Sequence, residues 1–257
     1  MEDNARVEWD SRHSERSHNS LTPDPFLVSA YEQFVAPNFK YVGRALDIAG
    51  GIGRHAVYLA ERGWLVTLMD ISDVAVKQAR RHAEERDVHI LAEQIDLTEA
   101  QLPVSAFDLI LVFFYLERSL LPQIADALRP GGIVIYKTYT REQLKLVGGP
   151  THPMHLLEPN ELQAAFPQLR ILHYLETTKD KAVAELVARK ESLSAGRSSL
   201  FAFRIWLFAF RSSQDSPWRH RAISSANGEK ASSHLHPDRL CFILCTCPGT
   251  KKFTVTR

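Results

Sequence analysis

The chain has 257 residues, 45% of them hydrophobic, and a formal net charge of +1, enough to bury one large core with or without an appendage. That balance gives no global charge argument for nucleic acid or an anionic membrane, and no apolar run reaches the roughly 18 residues of a membrane helix. The opening Met1-Glu2-Asp3-Asn4 is polar and acidic, wrong for a secretory signal, so a cytoplasmic location is expected.

Residues 1–24 read as a polar arm with one apolar anchor, Trp9, that either packs loosely or closes over a ligand. Residues 26–36 have helical spacing in Phe26, Leu27, Tyr31, Phe34 and Val35, with Pro25 in the first turn and Pro37 at the end. From 45 onward strands and helices alternate. Strand 45–49 precedes a helix over 54–62 with Gly63 as its cap, and strand 64–69 closes on Asp70. Ser72 caps the next helix; strands follow at 88–94 and 107–114, then a helix over 119–128 stopped by Pro130-Gly131-Gly132, and a strand over 133–139. Strands separated by short helices predict parallel pairing in a doubly wound, Rossmann-like α/β sheet. Residues 141–157 are irregular, 158–166 read as a short helix with Pro159 in its first turn, and runs 169–176 and 181–189 flank the hairpin signature Thr177–Asp180. A seven-stranded, mostly parallel sheet with an antiparallel terminal hairpin strand is therefore expected.

Charge is uneven. Residues 191–257 hold ten Lys and Arg against four Asp and Glu, together with all three cysteines and eleven serines, a net +6 that leaves −5 for residues 1–190. The reading is an N-terminal arm and covering helix over 1–40, a working domain over 41–190, and a basic, Ser-rich tail over 191–257. Within the tail, the aromatic segment 200–210 is too short to span a bilayer but suits a partner or membrane surface. Cys241, Cys245 and Cys247, with His234 and His236 nearby, have a spacing that matches no usual zinc site, and no metal is expected.

The organising stretch is Ala45–Arg54. Glycines at 50, 51 and 53 let the backbone turn tightly and approach a ligand closely, and the amides opening the following helix offer donors and partial positive charge. Asp47, just before the glycines, is a carboxylate in a strand that is otherwise apolar. It would face the pyrophosphate of a dinucleotide but suits a ligand with an amino group and a sulfonium cation, such as S-adenosylmethionine. Acidic residues then recur at strand ends, where ligands of open α/β sheets bind. Asp70, followed by Ile71, is placed to accept ribose hydroxyls; Asp96, followed by Leu97, to accept from an adenine amino group. Phe113, Phe114 and Tyr115 close the fourth strand beside the expected position of a transferable methyl. Gly51–Ala56 with Asp70 also fits the looser dinucleotide fingerprint, so an NAD-linked oxidoreductase is the alternative enzyme, and a cofactor-binding regulator without turnover the non-enzymatic one.

Asp47–His55 resembles the first motif of class I S-adenosylmethionine-dependent methyltransferases. More narrowly, Leu59–Trp64, Phe107–Phe113, Leu128–Gly132 and His155–Leu162 resemble the tellurite-resistance-like branch, which often has Cys or Gly at the position of Ala49. The resemblance covers about Trp9 to Lys190. It implies Asp47, Gly51 and Gly53 around the methionine part of the cofactor, Asp70 on the ribose and Asp96 with Leu97 around the adenine; Ala49, Gly50, Ile71 and Phe113 are taken as further cofactor-binding residues. Tyr115, Arg118, His152 and His155 are the polar groups above the strand ends. Tyr115 and His155 are taken as the acceptor-side catalytic pair, for a thiol, chalcogen oxyanion or small carboxylate acceptor. Arg118 is either a surface residue or a steering charge for an anionic acceptor.

Overall fold

The computed structural model describes residues 2–15 and 21–192, so the aromatic segment 200–210 and the cysteine cluster at 241–247 lie outside it. Seven strands form one sheet in the order β3-β2-β1-β4-β5-β7-β6. They are β1 Arg44–Ile48, β2 Leu65–Asp70, β3 Ile90–Gln94, β4 Phe107–Phe113, β5 Leu128–Tyr139, β6 Leu169–Thr178 and β7 Ala182–Lys190. The pairs β1–β2, β1–β4, β2–β3 and β4–β5 are parallel, while β7 runs antiparallel to both β5 and β6. The antiparallel strand is thus inserted between β5 and β6, and β6, not β7, forms the edge. Strand order reverses between β1 and β4, the switch point where open α/β sheets take ligands.

Two apolar layers cover the sheet because side chains alternate along each strand. Leu46, Ile48, Ile110, Val112 and Tyr136 face α5 (Leu120–Ala127) and Phe166. Ala45, Leu68, Leu109, Leu111, Phe113 and Ile135 face the other way, toward α2 (Pro25–Ala30), α3 (Arg54–Ala60) and α4 (Asp73–Glu85). Asp47, two residues after Ala45, belongs to this second face. The predicted 26–36 helix is α2 continued by a π-type turn over Tyr31–Val35, with Asp24 capping Phe26 N–H at 2.9 Å.

Three local expectations need correction. The polar arm is a helix, α1 (Glu2–Glu15), and Trp9 is 39% exposed rather than a buried anchor. Pro130-Gly131-Gly132 does not separate α5 from its strand: β5 starts at Leu128, paired with Phe107, and a register shift beside Asp108 absorbs the irregular backbone. The helix placed at 158–166 is a single turn, α6 (Glu161–Ala164), which Asn160 enters with φ of 61°, so Pro159 lies outside it. Elsewhere Ser72 caps α4 as expected, accepting from Ala75 N–H at 3.1 Å.

Candidate cofactor and acceptor site

The glycine turn is stitched to the end of β2. Gly50 N–H donates to Met69 O at 3.2 Å, and Gly51 N–H donates to Asp70 Oδ2 at 2.8 Å. Gly53 closes the turn with φ of 84°, and a Cβ there would come within 2.9 Å of Ala79 Cβ, so this position also permits α3 to approach α4. The ring nitrogen Nδ1 of buried His82 lies 3.0 Å from Ile52 O and ties the same turn to α4.

Within this frame Asp47 is 1% exposed, and neither carboxylate oxygen has a hydrogen-bond partner among the described residues. Burial pushes its carboxyl up to about 7; Arg54 pulls it down, Asp70 pushes it up further, and the Ala56 N–H, close but outside hydrogen-bond geometry, pulls it down slightly. A buried carboxylate with only these weak compensations is costly, and a cationic ligand group would complete them. Asp70 is buried at the end of β2, its two oxygens taking Gly51 N–H and Ser72 N–H, at 2.8 and 2.9 Å. Burial raises its carboxyl and these amides oppose the shift. Each oxygen keeps a lone pair for a ligand hydroxyl. Asp96, half-buried beyond β3, folds back on Thr98 N–H and Oγ1 through Oδ1, at 2.9 and 2.7 Å. Leu97 is buried in the core, and Ile71, half-buried, accepts from Gln94 Nε2 at 3.2 Å. Asp47, Asp70 and the glycines therefore form one constellation, with Asp96 and Leu97 in the loop just past β3, the strand next to β2.

Two residues of α1 join the site, and the sequence reading did not include them. Asp10 Oδ1 accepts from Ser72 Oγ at 2.6 Å and from Val74 N–H at 3.3 Å, a capping bond supplied from another helix. His13 Cε1 lies 3.6 Å from where a Cβ on Gly51 would stand, and His13 O accepts from Gln78 Nε2 at 3.4 Å. In this arm the sequence marked only Trp9, because α1 has no apolar stripe.

Toward β4 and β5 the rim becomes aromatic. Phe113 packs against buried His55 with centroids 4.2 Å apart and the ring planes tilted by 49°. His55 Nε2 accepts from Asp24 N–H at 3.3 Å, and burial, then Arg54 and Lys137, hold the ring neutral by lowering its pKa well below the usual histidine value. Lys137 is enclosed between Asp24 and Glu185, each at 3.0 Å. Five described non-glycine residues have left-handed backbone: Ala49, Asp87, Ser105, Phe114 and Asn160. Ala49 and Phe114 have no polar side chain to ease that conformation, which costs roughly 1–2 kcal/mol per residue. Both follow the carboxyl ends of the strands that flank the switch point.

Tyr115 is half-buried, and its hydroxyl is kept protonated first by burial, then by Glu117, Asp96 and Asp70. Its carbonyl accepts from Tyr136 Oη at 2.9 Å. His155 is exposed on a short turn, its ring 5.9 Å from that of His152, whose Nδ1 accepts from Met154 N–H at 3.3 Å. Arg118 is a clamp. Its guanidinium donates to Glu161 at 2.6 and 3.0 Å and to the carbonyls of Met154 and Leu156 at 2.9 and 3.0 Å, tying the His155 turn to the end of β4. A guanidinium so engaged holds the loop in place and is not the steering charge considered for it. Among the described residues no His, Cys, Asp and Glu group could hold a metal ion.

Residues 45–132 match the family model described as a methyltransferase domain. The tRNA 5-carboxymethoxyuridine methyltransferase of Escherichia coli is 34% identical over 113 residues, which is 39% of this chain and 42% of that protein. Among solved structures, magnesium protoporphyrin IX methyltransferase from Synechocystis, with SAH bound, superposes with a TM-score of 0.57 at 16% identity over 74% of this chain and 99% of that one. TehB from Haemophilus influenzae superposes with a TM-score of 0.55 at 18% identity over 71% of this chain and 67% of that one. Residues 45–132 are therefore similar to a methyltransferase domain, and the sheet order and glycine turn are those of the class I, S-adenosylmethionine-dependent fold. The chain spans less than half the length of the E. coli relative, and the two structural likenesses concern the fold.

Proposed function

We propose that this protein transfers the methyl group of S-adenosylmethionine to a small-molecule acceptor. The observation that carries the reading is Asp47, a fully buried carboxylate with no well-formed hydrogen bond among the described residues, beside a glycine turn. Asp47 would take the ammonium of the donor's methionine part, with Ala49, Gly50, Gly51 and Gly53 around it. Asp70 and Ile71 would hold the ribose, Asp96 and Leu97 the adenine, with Phe113 beside them. When bound, the donor supplies a methyl carbon already activated by its sulfonium. The chain's own task is then to position, to exclude water and, where the acceptor is protonated, to remove a proton. Tyr115, held protonated, serves as a hydrogen-bond donor to the acceptor, and His155 is the basic group that accompanies it.

A pyrophosphate would sit poorly against Asp47, which disfavours the NAD-linked alternative. Among the described residues no helix is long and apolar enough to cross a membrane. The domain boundaries drawn above are proposed with it: arm and covering helix to 40, methyltransferase domain to 190, basic tail beyond.

Asp70→Ala should abolish calorimetrically measurable binding of S-adenosylmethionine; unchanged affinity would remove Asp70 from the site. Labelled-methyl transfer to thiols, chalcogen oxyanions, small carboxylates and bulk tRNA should mark a small molecule. Transfer to tRNA in preference to all of them overturns the small-molecule reading, and tight binding with no transfer would favour a regulatory protein.

A further inference from the structure

The rim beyond β4 combines features that the cofactor does not use. Phe114 donates its backbone N–H to Lys137 O at 2.7 Å, so the parallel ladder continues while its left-handed backbone turns the ring off the sheet. That ring lies 5.1 Å from the ring of Tyr139, and both are half-buried. Two ammonium groups stand over the Phe114 face, Lys181 Nζ at 4.8 Å and Lys137 Nζ at 5.9 Å. They differ in their counter-charges. Lys137 is neutralised by Asp24 and Glu185, whereas exposed Lys181 has no carboxylate at ion-pair distance among the described residues.

Lys181 is also held in register. The next residue, Ala182, donates its N–H to Oε1 of buried Gln143 at 2.8 Å and accepts from Thr140 N–H at 3.0 Å. Gln143 Nε2 in turn donates to Gly148 O at 2.9 Å, which fixes the loop bearing exposed Leu144 and Val147 close to the same place. The result is an aromatic shelf with one uncompensated cation at its lip and an apolar loop nearby.

We infer that the Phe114–Tyr139 shelf, with Lys181 at its edge, is the acceptor-binding site, and that the acceptor is a planar conjugated anion. Aromatic faces reward a flat π-system, and the ammonium rewards negative charge at one end of it. A compact oxyanion would use the lysine and waste both rings. This assignment rests on the methyltransferase reading, since the shelf becomes an acceptor site only if the adjoining glycine turn holds the methyl donor.

The test uses the full chain saturated with S-adenosylhomocysteine, and titrates cinnamate, cyclohexanecarboxylate and cinnamyl alcohol by ligand-observed NMR. Cinnamate should bind about tenfold more tightly than the saturated acid or the neutral alcohol. Lys181→Ala and Tyr139→Leu should each weaken cinnamate about tenfold, and Lys181→Arg should restore it, with S-adenosylhomocysteine affinity unchanged throughout. Equal binding of the three probes, or no effect of Lys181→Ala, overturns the shelf while leaving the methyltransferase reading intact. A wild-type protein that takes up no S-adenosylhomocysteine overturns both.

Discussion

Asp47 ties the electrostatics of the fold to its proposed chemistry. Its carboxyl is raised from 3.8 to about 7, so between those values the folded state holds a proton that the unfolded chain has lost. Stability contributed by this group therefore falls as pH rises through that window and stays low above it. Asp47→Asn removes the buried charge, and the ligand-free protein should melt several degrees higher at about pH 8, with little gain at about pH 4. The same substitution should weaken S-adenosylmethionine by about a hundredfold, because the ammonium loses its counter-charge. In the wild type, cofactor affinity should drop about tenfold per pH unit below 7, with close to one proton released on binding at about pH 6. Calorimetry in two buffers of different ionisation enthalpy measures that proton, and no release would mean that Asp47 does not face the ligand. Asp47 and Asp70 were legible in the sequence because a carboxylate ending an apolar strand next to glycines has few structural uses. Asp10 and His13 were not: their meaning depends on where α1 lands, and no local pattern states that.

At the scale of the elements, α1 is the part that sequence periodicity could not find. Periodicity detects a buried face. Helix α1 has none, and instead reaches α4 through polar bonds at Ser72, Val74 and Gln78. These bonds set α1 across the glycine turn, so its attachment should govern how quickly a bound cofactor leaves. Asp10→Ala removes two of them, worth about 1–2 kcal/mol together, while Ser72 still caps Ala75. Amide exchange should then rise across residues 5–15 but not in α4, and release of S-adenosylhomocysteine in stopped flow should quicken about tenfold. Unchanged exchange and release would reduce α1 to a passenger. The start of β5 was misplaced for a related reason. Pro130, Gly131 and Gly132 signal a break, yet pairing of Leu128 with Phe107 and a register shift absorb them within the sheet. Tertiary pairing overrode local preference there.

The alternation of strands and helices from 45 to 139 made the parallel sheet legible as a whole, because each crossover has few alternatives. The insertion of β7 between β5 and β6 was not readable, since a hairpin signature says which strands pair with each other and not which of them joins the sheet. That insertion makes β7 the strand on which closure depends. It pairs with β5 over Ile133–Tyr139 and with β6 along its length, and its last residues bind other elements. Lys190 Nζ donates to the carbonyls of Ala125, Asp126 and Leu128 at 2.9, 3.3 and 2.8 Å, where α5 ends, a position that favours a cation. Arg189 donates to Asn38 Oδ1 at 2.7 Å and Gly131 O at 3.1 Å, joining the covering helix region to β5. A chain ended after Ser192 should therefore melt within about 2 °C of the full-length protein and bind S-adenosylhomocysteine within about twofold. A chain ended after Lys181 loses β7, exposes an apolar edge of β5 and should be recovered only as aggregate. Scanning calorimetry of the two truncations decides the boundary: failure of the longer one to fold would place residues beyond 192 inside the working domain, contrary to the division at Lys190.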